Sequence, residues 1–462
     1  RGRIRGLPLL LLRQNDQVEK RKAAARGKRE AYWAAHPQAN VFRLPAGNPY
    51  RAQFGSGLRR LSGYLTGKYF QQHAPVRRQL EPVGHAVRFA YFETAAAMLA
   101  RLTGDHTLTA PLEQTWQRMV TRRMYVTGGL GSVPVTEGFG RDYELDPQFA
   151  YAETCAALGS MFWSWEMAQL TGSPAYSDLF EWQLYNAALV GMSADGRGYF
   201  YNNPLLCRGD VVRQPWFEIP CCPSNISRTW ANLGQYIAAV QPGRLVLHQY
   251  IASRVQETIP LPDGSRCTLT INLGTGLPWQ GWATLTVEEA AYSGQAQPFE
   301  LLLRRPSWAA SMQVRINGEP LKRLTKPEKP NQPTASGFDP RTAVFQPLQR
   351  AWQTGDVLEI SYDMPARLLS AHPRVKGHKG RAAVTRGPLV YCLENIDQPD
   401  VDIFTCRLDP ASLTPSPDPA VPGGLVRLLG KTAGGEPLTL IPYFWWGNRG
   451  PSQMTVWVSI SS

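Results

Sequence analysis

Two periodicities divide the chain. From about residue 85 to 240, apolar residues recur around most of the helical circumference, as in helices packed on two sides. His85–Thr103 is rich in alanine and other helix formers and stops at Gly104. Pro111–Arg122, Ala150–Leu170, Ala175–Val190 and Ser224–Ala239 follow, separated by Gly- and Pro-containing breaks. Consecutive helices joined by loops of unusual composition suggest an α/α barrel or toroid. From about 242 the period falls to two: Arg244–Ile251, Cys267–Leu273, Ala283–Val287, Phe299–Leu303, Met312–Ile316 and Val357–Tyr362 read as strands of one or two β-sandwiches. Asn317-Gly318 predicts a tight hairpin, and Lys326–Gly337 reads as an inserted polar loop.

Charge changes this picture only at one end. The 462 residues carry a net charge of +13, but residues 1–60 hold fourteen Lys/Arg against three acidic residues, a net of +11. The basic character belongs to that segment, which reads as a solvated tail rather than a nucleic-acid arm. No apolar run approaches the roughly 20 residues that span a bilayer. Leu7–Leu12, after three arginines, imitates a signal peptide faintly but is short, contains Pro8 and lacks a small-residue cleavage site. Seven cysteines, two of them adjacent, make a poor disulfide framework. A reduced, cytoplasmic setting is expected, with some thiolates held by metal. Fourteen Trp and eighteen Tyr suit either a large core or the stacking of sugar rings.

The chemistry concentrates between Tyr125 and Asn225. Tyr125–Ser132 (YVTGGLGS) lacks the Lys-Ser/Thr ending of a phosphate loop, so its glycines are expected to turn the backbone beside a pocket. Glu137 follows, then Glu153-Thr-Cys155, and much later Cys221-Cys222-Pro-Ser-Asn225. Glu153, Cys155, Cys221 and Cys222 form a possible four-ligand zinc set. Residues i and i+2 diverge by about 200° on a helix, so Glu153 and Cys155 converge only where the first turn, at the entry to the 150–170 helix, is extended or irregular. Buried reduced cysteines beside a surface glutamate are the competing reading.

The segments GHAVRFAYFETA, MYVTGGLGS, YAETCAALG, LYNAALVGMSADGRGYFYNNPL, CCPSN and LGQYI, continuing through LRRPSW, RINGE, GDVLEISYDMPARLL, RGPLVYCLE, IPYFWWGNRG and MTVW, resemble glycoside hydrolase family 127, the β-L-arabinofuranosidases, over about residues 63–462. The resemblance implies a multidomain protein, an (α/α)6 barrel over 63–240 followed by β-sandwiches over 241–365 and 366–462, with residues 1–62 unassigned. It implies Zn²⁺ held by Glu153, Cys155, Cys221 and Cys222. Cys221 matches the nucleophile, Glu137 the acid/base, and His85 and Tyr201 positions that contact the sugar. His73, in a family-like stretch, is expected near the pocket. The implied partner is a plant-type glycan, with no nucleic acid and no membrane. The oligomeric state stays open, a homodimer included.

The chemistry coheres. Retaining glycosidases pair a nucleophile with an acid/base; a metal deprotonates a coordinating thiol, and Glu137 is expected to rest protonated and then serve as base. The same machinery on another furanose, or a non-catalytic zinc-containing carbohydrate-binding protein, are the alternatives. Glu144-Leu-Asp-Pro and the Pro-Ser after the cysteines depart from the family's usual runs. Five helices between 85 and 240, with a sixth near Tyr64–Gln71, fall short of six helix pairs. The chain is therefore expected to lack upstream barrel helices and to bind zinc better than it turns over substrate.

Overall fold

The computed structural model describes residues 55–321, 324–325, 333–421 and 423–461. The basic run from Lys20 to Arg29 and residues 326–332 of the polar insert lie outside the described residues. Six α-helices are described: α1 (Gly55–Leu65), α2 (Ala86–Thr103), α3 (Thr109–Arg118), α4 (Thr154–Thr171), α5 (Pro174–Gln183) and α6 (Cys221–Ala231). Helix α2 ends where expected, with Gly104 left-handed at φ 70°. Helix α4 is buried on nearly every side, as its unbroken apolar circumference requires. Ala90 and Thr94 of α2 meet Gly159 of α4, and Arg101 bonds Glu166, so the two helices run side by side in the same direction.

Several boundaries differ from expectation. The segment 150–153 is irregular, with Ala152 at φ 38° and Glu153 extended, and α4 begins only at Thr154. Helix α5 stops at Gln183 and continues as a wide turn over Leu184–Ala188. Helix α6 begins at Cys221, three residues earlier than the sequence suggested, because Pro223 sits in its first turn, where a missing N–H costs nothing. It ends at Ala231, and Ala238 and Ala239, expected as the end of that helix, belong to the strand Ala238–Gln241.

The strands between 238 and 362 form two sheets: a four-stranded one containing Arg244–Leu247 and Phe299–Arg305, and a seven-stranded one containing Arg266–Thr275, Trp282–Tyr292, Ser311–Ile316 and Val357–Tyr362. Asn317 and Gly318 both have positive φ and close the expected hairpin between Ile316 and Glu319. The C-terminal strands do not form a second sandwich. Six of them (Leu389–Glu394, Pro437–Pro442, Val426–Thr432, Arg407–Pro417, Trp457–Ile460 and Arg381–Arg386) close into a barrel, the first and last pairing at Arg386↔Leu389. Inside it lies a core of Leu393, Leu408, Leu428 and Leu440. Its sheet also takes in Leu206–Arg208, from the loop between α5 and α6, paired with Gln453–Thr455. A second tie is ionic: Arg304, fully buried on the four-stranded sheet, bonds Asp178 (2.8 Å) and Glu181 (2.7 Å) of α5.

Candidate active site

The site is assembled from the starts of three helices, α2, α4 and α6, and from the two loops that bear Glu137 and Tyr201. Glu153 is the residue before α4, with extended backbone (φ −59°, ψ 134°), which is the geometry that lets an i, i+2 pair converge. Asn202 pairs with Glu153 as a short antiparallel bridge, and Thr154 N–H donates to the Tyr201 carbonyl at 3.0 Å. That bridge carries the YNN segment to the EtC segment. Cys221 and Cys222 open α6, whose N-terminal dipole favours a thiolate.

All seven cysteines are free. One ligand atom each from Glu153, Cys155, Cys221 and Cys222 lies within 4.8 Å of the others. A tetrahedral ion with sulfur ligands at ~2.3 Å spaces those ligands by about 3.8 Å. Cys221 and Cys222 Sγ are 3.9 Å apart, and they lie 3.7 and 3.6 Å from Glu153 Oε1. Glu153 Oε2 is buried without a hydrogen-bond partner. These residues could hold a metal ion with little rearrangement. Hydrogen bonds from Cys155 and Cys222 hold the Cys221 thiol well below the usual thiol range, against its partial burial. Burial and the Cys221 charge push the Glu153 carboxyl up.

Tyr201 places its hydroxyl 2.9 Å from Cys221 Sγ. Opposite lies the acid pair. His85 is the N-cap of α2: its Nδ1 accepts from the Arg88 N–H at 3.4 Å, so the ring proton sits on Nε2, which donates to Glu137 Oε2 at 3.0 Å. Expected as a sugar contact, His85 is thus first a partner of Glu137. His85, Glu137 and Glu153 also have ligand atoms within 4.8 Å of one another, but a protonated Nε2 has no lone pair for a metal.

Glu137 adopts the left-handed conformation (φ 49°) after a turn at Pro134–Thr136. Its carbonyl accepts from Ala86 N–H at 3.0 Å, and Gly138 pairs with both His85 and Val133. A Cβ on Gly138 would fall 2.2 Å from the Gly84 oxygen, so only glycine permits this approach. The strap continues to Asp142, bonded by Arg123 (2.6 Å), Arg118 and Arg122 (both 3.1 Å). Burial works to raise the Asp142 carboxyl, but the three guanidiniums hold it down to about 2.

The His85 hydrogen bond holds the Glu137 carboxyl below the usual carboxylate range, against the partial burial and Cys221 charge that push it up. Here the structure departs from the expectation that Glu137 rests protonated. A bound sugar would remove the remaining water over it, and desolvation acts in the protonating direction.

The glycine-rich loop turns as expected, with Gly128 and Gly131 at positive φ and the Gly131 carbonyl accepting from Ala152 N–H at 2.9 Å. His73 has Lys68 and Glu81 as its charged neighbours, not the site's acids. Tyr151 was missed. Its ring packs edge-on against Tyr201 at 6.3 Å, and its buried hydroxyl feels the charges of Glu153 and Glu137. Strand alternation does not place it there, because the intervening Ala152 is left-handed at φ 38°; its one signal was a tyrosine two residues from an expected ligand. Tyr69, edge-on to His85 at 5.9 Å, carried no such signal.

Comparison with known proteins agrees with this arrangement. Three family models match: the β-L-arabinofuranosidase GH127 catalytic domain over residues 36–235, the GH127 middle domain over 244–364 and the family 127 C-terminal domain over 366–459. The first begins upstream of residue 63, where the resemblance was read. The chain is 32% identical over 437 residues to the non-reducing end β-L-arabinofuranosidase of Bifidobacterium longum subsp. longum, covering 85% of this chain and 62% of that protein. The crystal structure of a GH127 β-L-arabinofuranosidase from Geobacillus stearothermophilus T6 superposes with a TM-score of 0.75 at 34% identity, over 85% of this chain and 63% of the other. A GH127 β-arabinofuranosidase structure gives 0.72 at 30% identity, over 89% and 67%. The chain thus spans a little under two thirds of the curated relative's length. No helix among the described residues is long and apolar enough to cross a membrane. On these matches and this geometry, the chain belongs to glycoside hydrolase family 127.

Proposed function

We propose that this chain carries the catalytic centre of a retaining glycosidase that releases β-L-arabinofuranose from plant-type glycans, with Cys221 as nucleophile and Glu137 as acid/base. The observation that carries the reading is the contrast within the ligand set. Glu153, Cys155 and Cys222 are buried, while Cys221 is half-exposed and holds the charge beside Tyr201. A purely structural metal site needs neither an accessible thiolate nor a hydrogen-bonded carboxyl facing it. The names of the relatives supply the sugar.

Zinc fits the donor set of three thiolates and one carboxylate; when bound, it supplies the positive charge that keeps coordinating thiols deprotonated. In the first step, Cys221 Sγ attacks the anomeric carbon while protonated Glu137 gives its proton to the departing oxygen. The glycosyl group is then carried on Cys221 as a thioether. In the second, Glu137 takes a proton from water, whose oxygen displaces the sulfur. His85 Nε2–H orients Glu137 throughout, and the Tyr201 hydroxyl donates to the thiolate before attack and after release. The parallel pair α2 and α4, joined through α3, is the repeat expected of an (α/α)6 barrel. We place the helical unit at 63–240 and the β units at 241–365 and 366–462.

The direct test is a screen of aryl β-L-arabinofuranoside against other aryl furanosides, before and after chelation. The reading expects hydrolysis of the first, lost on metal stripping and restored by zinc; equal rates on all furanosides would discard the sugar assignment. Elemental analysis of reloaded protein should approach one zinc per chain, and Cys155→Ser should lower that value; full retention would break the ligand assignment. Glu137→Gln should slow substrates with poor leaving groups by roughly 10²–10⁴-fold and activated aryl glycosides far less. Equal loss on both would remove Glu137 as the acid.

A further inference from the structure

Five residues before Cys221, Trp216 is 55% exposed and Ile219 is 70% exposed. Large apolar groups left in water beside a polar pocket call for an occupant. The segment that bears them is anchored at both ends. Tyr199 and Gln214 exchange both backbone hydrogen bonds (2.8 and 2.9 Å), and Cys221 begins α6. In between, Phe217 packs edge-on against Tyr201 at 5.4 Å, the tyrosine whose hydroxyl reaches the Cys221 sulfur. Trp216 packs edge-on against Tyr199 at 5.9 Å and 84°, an arrangement that spends the edge of one ring and leaves indole surface open. The indole N–H has no hydrogen-bond partner among the described residues and can donate to a hydroxyl.

Resting on the glycosidase reading, we infer that Trp216, with Ile219 beside it, is the platform for the sugar on the leaving side of the scissile bond. The sugar to be released occupies the pocket among Glu137, Tyr201 and Cys221. What projects from it at the rim meets an indole whose apolar surface accepts the C–H face of a second sugar ring and whose N–H takes one of its hydroxyls. Exposed Glu218 lies between Trp216 and Ile219 on the same loop, and its carboxylate favours a neutral glycan over an acidic one. Trp216 is a specificity determinant and takes no part in bond breaking.

The test compares methyl β-L-arabinofuranoside, which places nothing on the platform, with a β-L-arabinofuranosyl disaccharide. Trp216→Ala should lower kcat/KM for the disaccharide roughly tenfold, the scale of one lost aromatic contact, and leave the methyl glycoside unchanged; Trp216→Phe should recover most of the loss. Calorimetry with a sulfur-linked disaccharide, which cannot turn over, should show tighter binding than free L-arabinose in the intact protein and equal binding in Trp216→Ala. An unchanged disaccharide-to-methyl ratio overturns the proposal, as does equal loss on both substrates. A change in sedimentation with the ratio unaltered overturns it too, by making the patch a protein contact. If the intact chain neither binds nor cleaves either sugar, the glycosidase reading itself falls, an outcome distinct from the others.

Discussion

Replacing Cys221 by serine should abolish turnover of every substrate, activated aryl glycosides included, by about 10⁴-fold or more. A serine hydroxyl has the shape of the thiol but not its acidity. The surroundings that hold the Cys221 thiol low, the Tyr201 hydroxyl at 2.9 Å among them, act on a group whose ordinary value is already ~8.5; a serine hydroxyl starts far higher and stays protonated at neutral pH. Because the loss is in bond formation rather than proton donation, a good leaving group should not rescue it, in contrast to Glu137→Gln. Initial rates on an aryl glycoside and a disaccharide, with zinc content measured alongside, separate nucleophile loss from metal loss. Activity above a tenth of the parent on the aryl substrate would assign the attack to another group.

The largest effect on stability is expected at Arg304. Its guanidinium is fully buried, bonds Asp178, Glu181 and the His248 carbonyl, and ties α5 to the four-stranded sheet. Glu181 also accepts from Trp308 Nε1 at 2.7 Å, and Asp178 from Ser307 N–H at 3.0 Å. Arg304→Met would strand two buried carboxylates and should cost about 3–5 kcal/mol, a large share of the roughly 5–15 kcal/mol typical of a domain. The loss should depend on pH. Burial already pushes Asp178 up to about 6 even with Arg304 present. Removing the cation raises the Asp178 value further above its unfolded one. Groups shifted upward in this way penalise folding once pH exceeds the folded value, and the penalty vanishes below the unfolded value. The deficit in Tm should therefore shrink between pH 7.5 and pH 5. A pH-independent deficit would mean that lost packing, not stranded charge, is the cause. Adding Asp178→Asn and Glu181→Gln to Arg304→Met should recover part of the loss.

How much of this was legible depends on the range of the forces involved. Gly104 ends α2 and Asn317-Gly318 turns a hairpin through their own backbone preferences; a few neighbouring residues decide both, and both were read correctly. The Glu153 and Cys155 spacing predicted an extended or irregular entry to α4, because two side chains 200° apart on a helix cannot share a ligand. The motifs likewise nominated the four residues that converge within 4.8 Å. The start of α6 was misread because a proline was taken as a barrier, although the first helical turn tolerates it.

The rest lay beyond local reading. Leu206–Arg208 is too short to announce itself and is a strand only because Gln453–Thr455 lies beside it. Closure of the C-terminal barrel depends on pairings between strands far apart in the chain, such as Ala382 with Val458 and Leu408 with Ile460. A sandwich strand and a barrel strand show the same alternation. Nothing near Arg304 in sequence marks it as buried, since its partners lie more than a hundred residues away on α5. The sequence by itself determined the long helices and strands, the stops at Gly104 and Asn317-Gly318 and the inventory of chemical groups, because these follow from propensities within one or two turns. Only the tertiary structure decided which of three thiols stays partly exposed, that His85 serves Glu137, and that Asp142 anchors the strap behind it. Those are properties of hydrogen bonds and electric fields between groups far apart in the chain, and they exist only once packing has excluded water from between them.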